Sequence, residues 1–462
     1  MMNYNKSILA AAINDILNLG QEFLEELIEI PPQKELGDFS LPCFKLLNKS
    51  LTNPFMIAKE IKKEFNSDIF ERVEIHGVYL NFYLNKSVFM NSTIDNILLN
   101  GDKLGKSDIG SEKVIYIEDS FSVMTEGVGE RINFSEVIKR SLYNIFKSQS
   151  YNVYDSCDFD YIDKDFLKNI TDDLMKKEQI KYKNCAKVIE FKDYNMMPFI
   201  AENIFGEVSK EAKVLGKLIY IKKFYDFNRY MIIGRKDKKI SFNQLTKASQ
   251  VLKIDLDEDS LEYIPLGRVR FEKYKDYSFI DIDSFLNEFK RNMKKNLHYA
   301  NSLWDYEDRI EEKVLKEAVV FSYLKSPREK DKNILLNDIM NFHDESYLYV
   351  QHSYITALNI LDKSKDIEFN CLMKGHIETS SWELAEILGE FHKKILEAIN
   401  LLEPYVITRY IIDITQKFNK FILTIEGENP LYEPYQIKLI KAYKVVFNNA
   451  MKLIGVQTID EI

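Results

Sequence analysis

The residues of this chain that could handle phosphate are one short glycine-containing run and two basic clusters. Residues 127–132 read GVGERI, after a β-rich string and before a helical one. A G-x-G-x-x-G turn works by setting bare backbone and a helix N-terminus against a pyrophosphate. Here Ile132 stands where the third glycine belongs, and the run begins nine residues beyond the β-rich string that ends at Glu118. The tight turn of a dinucleotide site is therefore not specified. No G-x-x-x-x-G-K-[ST] occurs, so a P-loop is excluded. RKDKK (235–239) and KRNMKK (290–295) offer cations either to phosphates or to a solvated face. The histidines, at 76, 298, 343, 352, 376 and 392, form no H-E-x-x-H, so no metal site is expected. No serine or cysteine sits in a recognisable nucleophile elbow.

The elements that would position such groups follow from periodicity. Residues 7–29 carry Ile8, Leu9, Ala12, Ile16, Leu19, Phe23 and Leu27 at helical spacing, which predicts one amphipathic helix. Pro31, Pro32 and Gly37 end it. Asn53-Pro54 separates two further helical stretches, and VEIHGVYLNFYLN predicts a hairpin turning at Gly77. VIYIE (114–118) and NVYD (152–155) read as strands around a helix over 133–148, with Asn133 as N-cap and Glu136 at the capping-box position. KVIEF, KLIYI, RYMIIG and EYIPLGRVRF read as further strands, between charged helical stretches. This alternation predicts a parallel, doubly wound sheet. From about residue 290 the pattern is almost purely helical, as in IIDITQKFNKFIL and YQIKLIKAYKVVFNNAMKLIG.

Composition narrows the classes. The chain has 462 residues, 45% hydrophobic and 29% charged, enough to bury a core and exclude wholesale disorder. Its net charge of −9 argues against a generic DNA coat, and residues 291–462 carry 22 basic against 26 acidic residues. No apolar run reaches the ~20 residues of a membrane span. Asn14 and Asp15 interrupt any signal-like pattern at the N-terminus. Cys43, Cys157, Cys185 and Cys371 are scattered without a C-x-x-C pair, which fits a reducing cytoplasmic setting.

Longer strings are more specific. PPQKELGDFSLPCFKL, then Asn53-Pro54, Ile57-Ala58 and GVYLNFYLN, resemble the N-terminal additional domain of arginyl-tRNA synthetases. YLYVQHSYITALNIL (347–361), EPYVITRYIIDITQKFNKF (403–421) and the terminal MKLIGVQ are similar to that family's helical anticodon-binding domain, of the DALR type. AVVFSYLKSPREKD (318–331) resembles the segment leading into it. The resemblance implies three domains: an α+β additional domain over 1–108 on the tRNA D-loop side, a Rossmann-like class I catalytic domain over 109–290, and a helical linker with an all-α anticodon-binding bundle over 291–462.

Across the middle, the resemblance implies an adenylate site with its residues replaced. Between VIYIE and SLYNIF the family carries Ser-Pro-Asn and then His-Ile-Gly-His, whose histidines bond ATP phosphates. The corresponding slots here are Ser122-Val123 after Phe121, and Gly129-Glu130-Arg131-Ile132. A carboxylate where polyphosphate would lie costs several kcal/mol in a low-dielectric pocket. The family's Tyr and Asp that hold the substrate amino and guanidinium groups fall at Lys210 and Val214, and Val offers a guanidinium nothing. The Gln and His that follow the next strand are replaced within Arg235–Ser241. The slot of the Lys-Met-Ser-Lys loop reads Phe271-Glu272-Lys273-Tyr274-Lys275, which keeps two cations and loses the serine. Only 139 positions separate Ile132 from Phe271, too few to hold the family's connective insertion.

The tRNA-facing ends match better. Tyr79-Leu80-Asn81 corresponds to an aromatic-x-Asn pair that reads a D-loop base by stacking and hydrogen bonding. Tyr349, Gln351, Arg409 and Asn419 fall on recurrent positions of the last domain, with Gln351 and Arg409 open to a packing or capping role instead. The arginine usual five residues after that glutamine is Thr356. The expectation is a catalytically degenerate, tRNA-binding paralogue with a regulatory or partner-mediated role. Its partners would be tRNA, with tRNA(Arg) the species the resemblance names, and a true synthetase or another protein, with no membrane and no DNA. No cofactor is expected; ATP and Mg enter only if the chain is an active minimal arginine–tRNA ligase using Arg131, Lys273 and Lys275. A protein-interaction scaffold without RNA binding is the remaining alternative.

Overall fold

The computed structural model describes residues 2–46, 53–121, 133–155, 180–191, 196–257, 259–272, 287, 308–335, 338–339, 345–364, 377–425 and 432–459. In chain order the elements begin with α1 (Met2–Leu17), α2 (Gln21–Leu27), β1 (Phe39–Pro42), α3 (Pro54–Glu64), β2 (Phe70–His76), β3 (Tyr79–Leu84) and α4 (Lys86–Asn100). The middle of the chain forms β4 (Val114–Phe121), α5 (Phe134–Ser148), β5 (Asn152–Asp155), β6 (Lys181–Lys183), β7 (Ala186–Ile189), β8 (Phe199–Glu202), α6 (Lys210–Phe224), β9 (Arg229–Arg235), α7 (Lys239–Val251), β10 (Leu261–Leu266) and β11 (Val269–Glu272). The remainder forms α8 (Asp308–Leu324), β12 (Lys332–Leu335), α9 (Tyr347–Lys363), α10 (Thr379–Leu388), α11 (Phe391–Leu401), α12 (Tyr405–Ile425) and α13 (Pro434–Ile454). Two compact units result, and the C-terminal helices are divided between them: residues 1–104, 356–392 and 413–447 in one, and 105–355, 393–412 and 448–462 in the other.

In the first unit a three-stranded antiparallel sheet runs in the order β1-β3-β2. Alternation along β3 sends Leu80, Phe82 and Leu84 inward, where they meet Phe39, Leu41 and Phe70 in the core. Asn53 caps α3, accepting from the Phe55 amide at 3.0 Å, and Pro54 takes the first helical turn without losing a bond. The single helix expected over 7–29 is instead α1 and α2. Asn18 (φ 49°) and Gly20 (φ 98°) adopt left-handed backbone, and Asn14 Oδ1 accepts from the Gly20 amide at 2.8 Å, so the chain turns there. Phe89 on α4 packs against Trp382 on α10 at 5.0 Å between centroids, and Phe418 stacks on Tyr443 at 4.0 Å.

The second unit is built on a four-stranded, wholly parallel sheet in the order β10-β9-β4-β5, as the alternation predicts. Ile138, Leu142 and Ile145 bury the inner side of α5, which contacts β4, β5 and β9. The other face holds a core of Tyr116, Tyr230, Ile232, Val214, Leu218, Ile221, Leu245 and Ala248 beneath α6 and α7. Asn133 caps α5 as expected, accepting from Ser135 and Glu136 amides at 3.0 and 3.4 Å. Glu136 does not reach back to close a capping box; it pairs with Lys139 at 2.7 Å. KLIYI, read from composition as a strand, is helical. Ser209 caps α6 through its bond to the Ala212 amide (3.0 Å), and the burial of Val214, Leu218 and Ile221 follows the helical period over β-branched propensity.

EYIPLGRVRF is two strands broken at Gly267, because β10 pairs with β9 whereas β11 pairs in parallel with β12. A Cβ on Gly267 would lie 2.3 Å from the Lys330 carbonyl oxygen. Gly267→Ala should therefore lower stability by about 1–3 kcal/mol, read as a fall in the urea midpoint; an unchanged midpoint would show that the two backbones are not this close. No helix among the described residues is long and apolar enough to cross a membrane.

Candidate functional site

The outer face of the N-terminal sheet is where Tyr79 and Asn81 come together. Strand register aligns Tyr79 with Pro42 and His76, Asn81 with Ser40 and Glu74, and Tyr83 with Arg72. All lie opposite the apolar core face. The two sequence-predicted residues are not equally open. Tyr79 is 37% exposed and meets the exposed Phe44 ring edge-to-face at 5.6 Å, whereas Asn81 is 3% exposed. Ser40 Oγ donates to Asn81 Oδ1 at 2.7 Å, so the amide oxygen is used as an acceptor within the sheet. Beside them the Arg72 guanidinium lies 3.7 Å above the Tyr83 ring and 3.0 Å from Glu74 Oε1. The face thus offers an accessible aromatic ring and a recessed amide, a set suited to an unpaired base, beside a stacked cation that is already paired with Glu74. Ser40, Phe44 and Arg72 are not singled out from sequence; Ser40 and Arg72 emerge from strand register and Phe44 from its ring contact with Tyr79.

The C-terminal positions divide. Gln351 is buried at 1% exposure, and its Nε2 donates to the Ile459 carbonyl at 2.9 Å. Tyr347 Oη donates to the Gln457 carbonyl at 2.9 Å, and Gln457 N to Glu317 Oε2 at 3.1 Å. Gln351 therefore serves the packing role left open above, fastening residues 457–459 to α9. Arg409 forms a two-bond pair with Glu345 at 2.6 and 2.8 Å, and the guanidinium holds that carboxyl below its ordinary range. Tyr349 and Asn419 are half-buried on α9 and α12.

The carboxyl edge of the parallel sheet carries two ion clusters, one per face. This is the edge where open α/β sheets bind ligands, at the point where strand order reverses around β4. On the α5 face, Lys139 Nζ lies 2.7 Å from Asp155, 2.7 Å from Glu136 and 3.5 Å from Asp119. Burial works against the Lys139 cation, but hydrogen bonds to Asp155 and Glu136 outweigh it and hold its pKa above the lysine range. Burial pushes Asp119 up, against the pull of Lys139. On the α6 face, Glu118 is fully buried; Lys217 Nζ and Tyr230 Oη each lie 3.3 Å from its Oε2. The β4–β9 register shifts immediately after Glu118. Sequence reading missed both clusters: Lys217 lies in the string taken for a strand, and Lys139 meets Asp119 and Asp155 only through the packing of its helix on the sheet.

The slots carried over by resemblance fall unevenly. Ser122, Val123 and Gly129, Glu130, Arg131 and Ile132 lie outside the described residues, as do Lys273, Tyr274, Lys275 and the cluster at 290–295. Phe271 is no loop residue: it is 4% exposed at the end of β11 and stacks on Phe134 at 6.2 Å. Val214 is sealed in the α6 core and Lys210 is exposed. After β9, Arg235 pairs with Asp237 at 2.6 Å and Lys236 with Asp331 at 2.8 Å, so two cations of RKDKK already hold carboxylates. Among the described residues no group of three or more His, Cys, Asp or Glu side chains is arranged to hold a metal.

An α+β domain, a Rossmann-like parallel sheet and a helical end follow one another in the order of an aminoacyl-tRNA synthetase fold. Residues 3–84 match the arginyl tRNA synthetase N terminal domain, and residues 350–462 the DALR anticodon binding domain. Similar curated proteins include the arginine–tRNA ligases of Clostridium kluyveri, 27% identical over 99% of both chains, and Clostridium perfringens, 28% identical over 100% of both. Similar solved structures are arginyl-tRNA synthetases from Thermus thermophilus (13% identity, TM-score 0.65, 98% of this chain and 99% of that one) and Plasmodium falciparum (14%, TM-score 0.68, 98% of each). The chain belongs to the arginyl-tRNA synthetase family. The alignment to the C. kluyveri protein runs over 567 positions against the 462 residues of this chain, so at least 105 positions carry no residue of it.

Proposed function

We propose that this protein is a tRNA-binding member of the family that no longer activates arginine, with a regulatory or partner-mediated role. The observation that carries the binding half is the outer sheet face, where the exposed Tyr79 ring lies beside the Asn81 amide and the Arg72–Tyr83 stack. A splayed base stacks on Tyr79, and the Asn81 N–H₂, left as donor by the Ser40 bond, addresses an acceptor on the base edge. The DALR bundle supports contact with the anticodon arm, with Tyr349 and Asn419 the candidates there, since Gln351 and Arg409 are engaged within the chain. Loss of activation is supported by the replaced slots at Gly129–Ile132 and Phe271–Lys275, and by the short span between them.

The test is a titration with tRNA(Arg) and a non-cognate tRNA at low and near-physiological salt. Binding should be selective and fall with salt, because phosphate contacts release counterions. Tyr79→Ala should weaken it by about 5- to 100-fold, the worth of one stacked base, and Asn81→Ala should reduce selectivity as well as affinity. Absence of binding to any tRNA would refute this reading. The 22 basic and 26 acidic residues of 291–462 would then favour the scaffold alternative, tested by co-purification with a protein and no RNA.

A further inference from the structure

Glu118 is the buried carboxylate that faces α6 at the carboxyl edge, placed at the strand-order reversal just before the β4–β9 register shift. A carboxylate in such a place is a ready partner for a cationic ligand group. The resemblance puts the family's guanidinium-holding carboxylate on α6 at Val214, one helical turn before Lys217. Val214 is packed into the core, and Lys217 reaches from the same helix to within 3.3 Å of Glu118 Oε2, with its side chain 9% exposed. The Tyr230 hydroxyl completes the group at 3.3 Å.

We propose that Lys217 is a built-in occupant of the amino-acid pocket: its ammonium takes the position on Glu118 that the cationic end of an arginine ligand would take. The swap is internally consistent. Losing a carboxylate at Val214 and gaining a cation at Lys217 leaves one buried negative charge facing one buried positive charge, which is the arrangement a buried carboxylate needs. An arriving guanidinium would have to displace an ion pair that is already desolvated and tethered. The inference rests on reading this sheet edge as a former arginine pocket, and on that reading the wild type should not take up arginine there whether or not ATP is present.

The decisive variant is Lys217→Ala, which vacates the position and leaves Glu118 in place. Arginine titrated against it, with melting temperature and calorimetry as readouts, should bind at least ~10-fold more tightly than to the wild type, the equivalent of ~1.4 kcal/mol. Citrulline, its neutral analogue, should gain nothing. Lys217→Ala/Glu118→Gln should lose the gain. Recovery of soluble Lys217→Ala only when arginine is present counts as the same result. Arginine binding that is no tighter in Lys217→Ala, or is matched by citrulline, overturns the proposal. The wild type decides independently of any variant fold: saturable stabilisation by arginine that Glu118→Gln removes would show the pocket already open, and overturn it. Neither variant touches the Tyr79 face, so tRNA binding is a separate result, and failure there leaves this inference standing.

Discussion

Incubated with ATP, arginine and tRNA(Arg), the purified protein should give no arginyl-tRNA above the enzyme-free background, and no arginine-dependent ATP–pyrophosphate exchange. Amino-acid activation depends on cations and donors placed where charge develops on the leaving pyrophosphate. Removing one such donor typically costs ~10²–10³ in rate, so losing two groups of them costs about 10⁴ or more. Both groups are altered here: Glu130 falls in the slot of the phosphate-binding histidines, and Glu272 precedes the two lysines of the Lys273–Lys275 slot. At the described sheet edge three cations are already held by carboxylates. Arg235 and Lys236 are neutralised by Asp237 and Asp331, and Lys217 is committed to Glu118. The active-ligase alternative, which the names of the full-length relatives favour, makes the opposite prediction. It requires ATP-dependent charging that Lys273→Ala abolishes, and that outcome would replace the pseudo-synthetase reading.

What the sequence disclosed and what it hid have distinct physical causes. The parallel sheet was legible because VIYIE, NVYD and RYMIIG are short apolar runs bounded by caps and turns, and the cap at Asn133 was legible from its residue type alone. KLIYI misled because composition there favours a strand, while the buried set Val214, Leu218 and Ile221 obeys a helical period that tertiary packing rewards. The same error concealed Lys217, whose role depends on reaching across to a residue 99 positions earlier. Tyr79 and Asn81 were found by resemblance. The face that gives them meaning, Ser40 on one strand and Arg72 on another, exists only through register, which no local pattern encodes. Gln351 and Arg409 show the converse: residues that match a family's recurrent positions can be held by the chain itself, here by Ile459 and Glu345.

A second large effect should appear in the pH dependence of stability, and it comes from Lys332. This lysine sits on β12, beside the strand that leads to the Phe271–Lys275 slot, and is 7% exposed. Its Nζ donates to the Tyr323 carbonyl at 2.6 Å and the Ser326 carbonyl at 3.0 Å, and lies 3.8 Å from the Tyr323 ring centroid. Burial pushes its pKa down to about 7, against the upward pull of Glu403, which is itself paired with Arg328 at 2.5 Å. The unfolded chain keeps the ordinary lysine value of ~10.4. Below pH 7 both states hold the proton and the cost of the buried charge is fully present. Between about 7 and ~10.4 the folded state has released a proton that the unfolded state still binds, so this group makes stability rise with pH, by up to ~1.4 kcal/mol per unit. Lys332→Met removes the titration and leaves the other groups in place. The stability of the wild type relative to Lys332→Met, from urea unfolding at a series of pH values, should therefore climb by on the order of 4 kcal/mol across that window. Parallel curves from neutral to alkaline pH would mean that the carbonyls and the ring hold the lysine charged throughout. A fall with pH would require its pKa to be raised by folding, the reverse of what burial at this position demands.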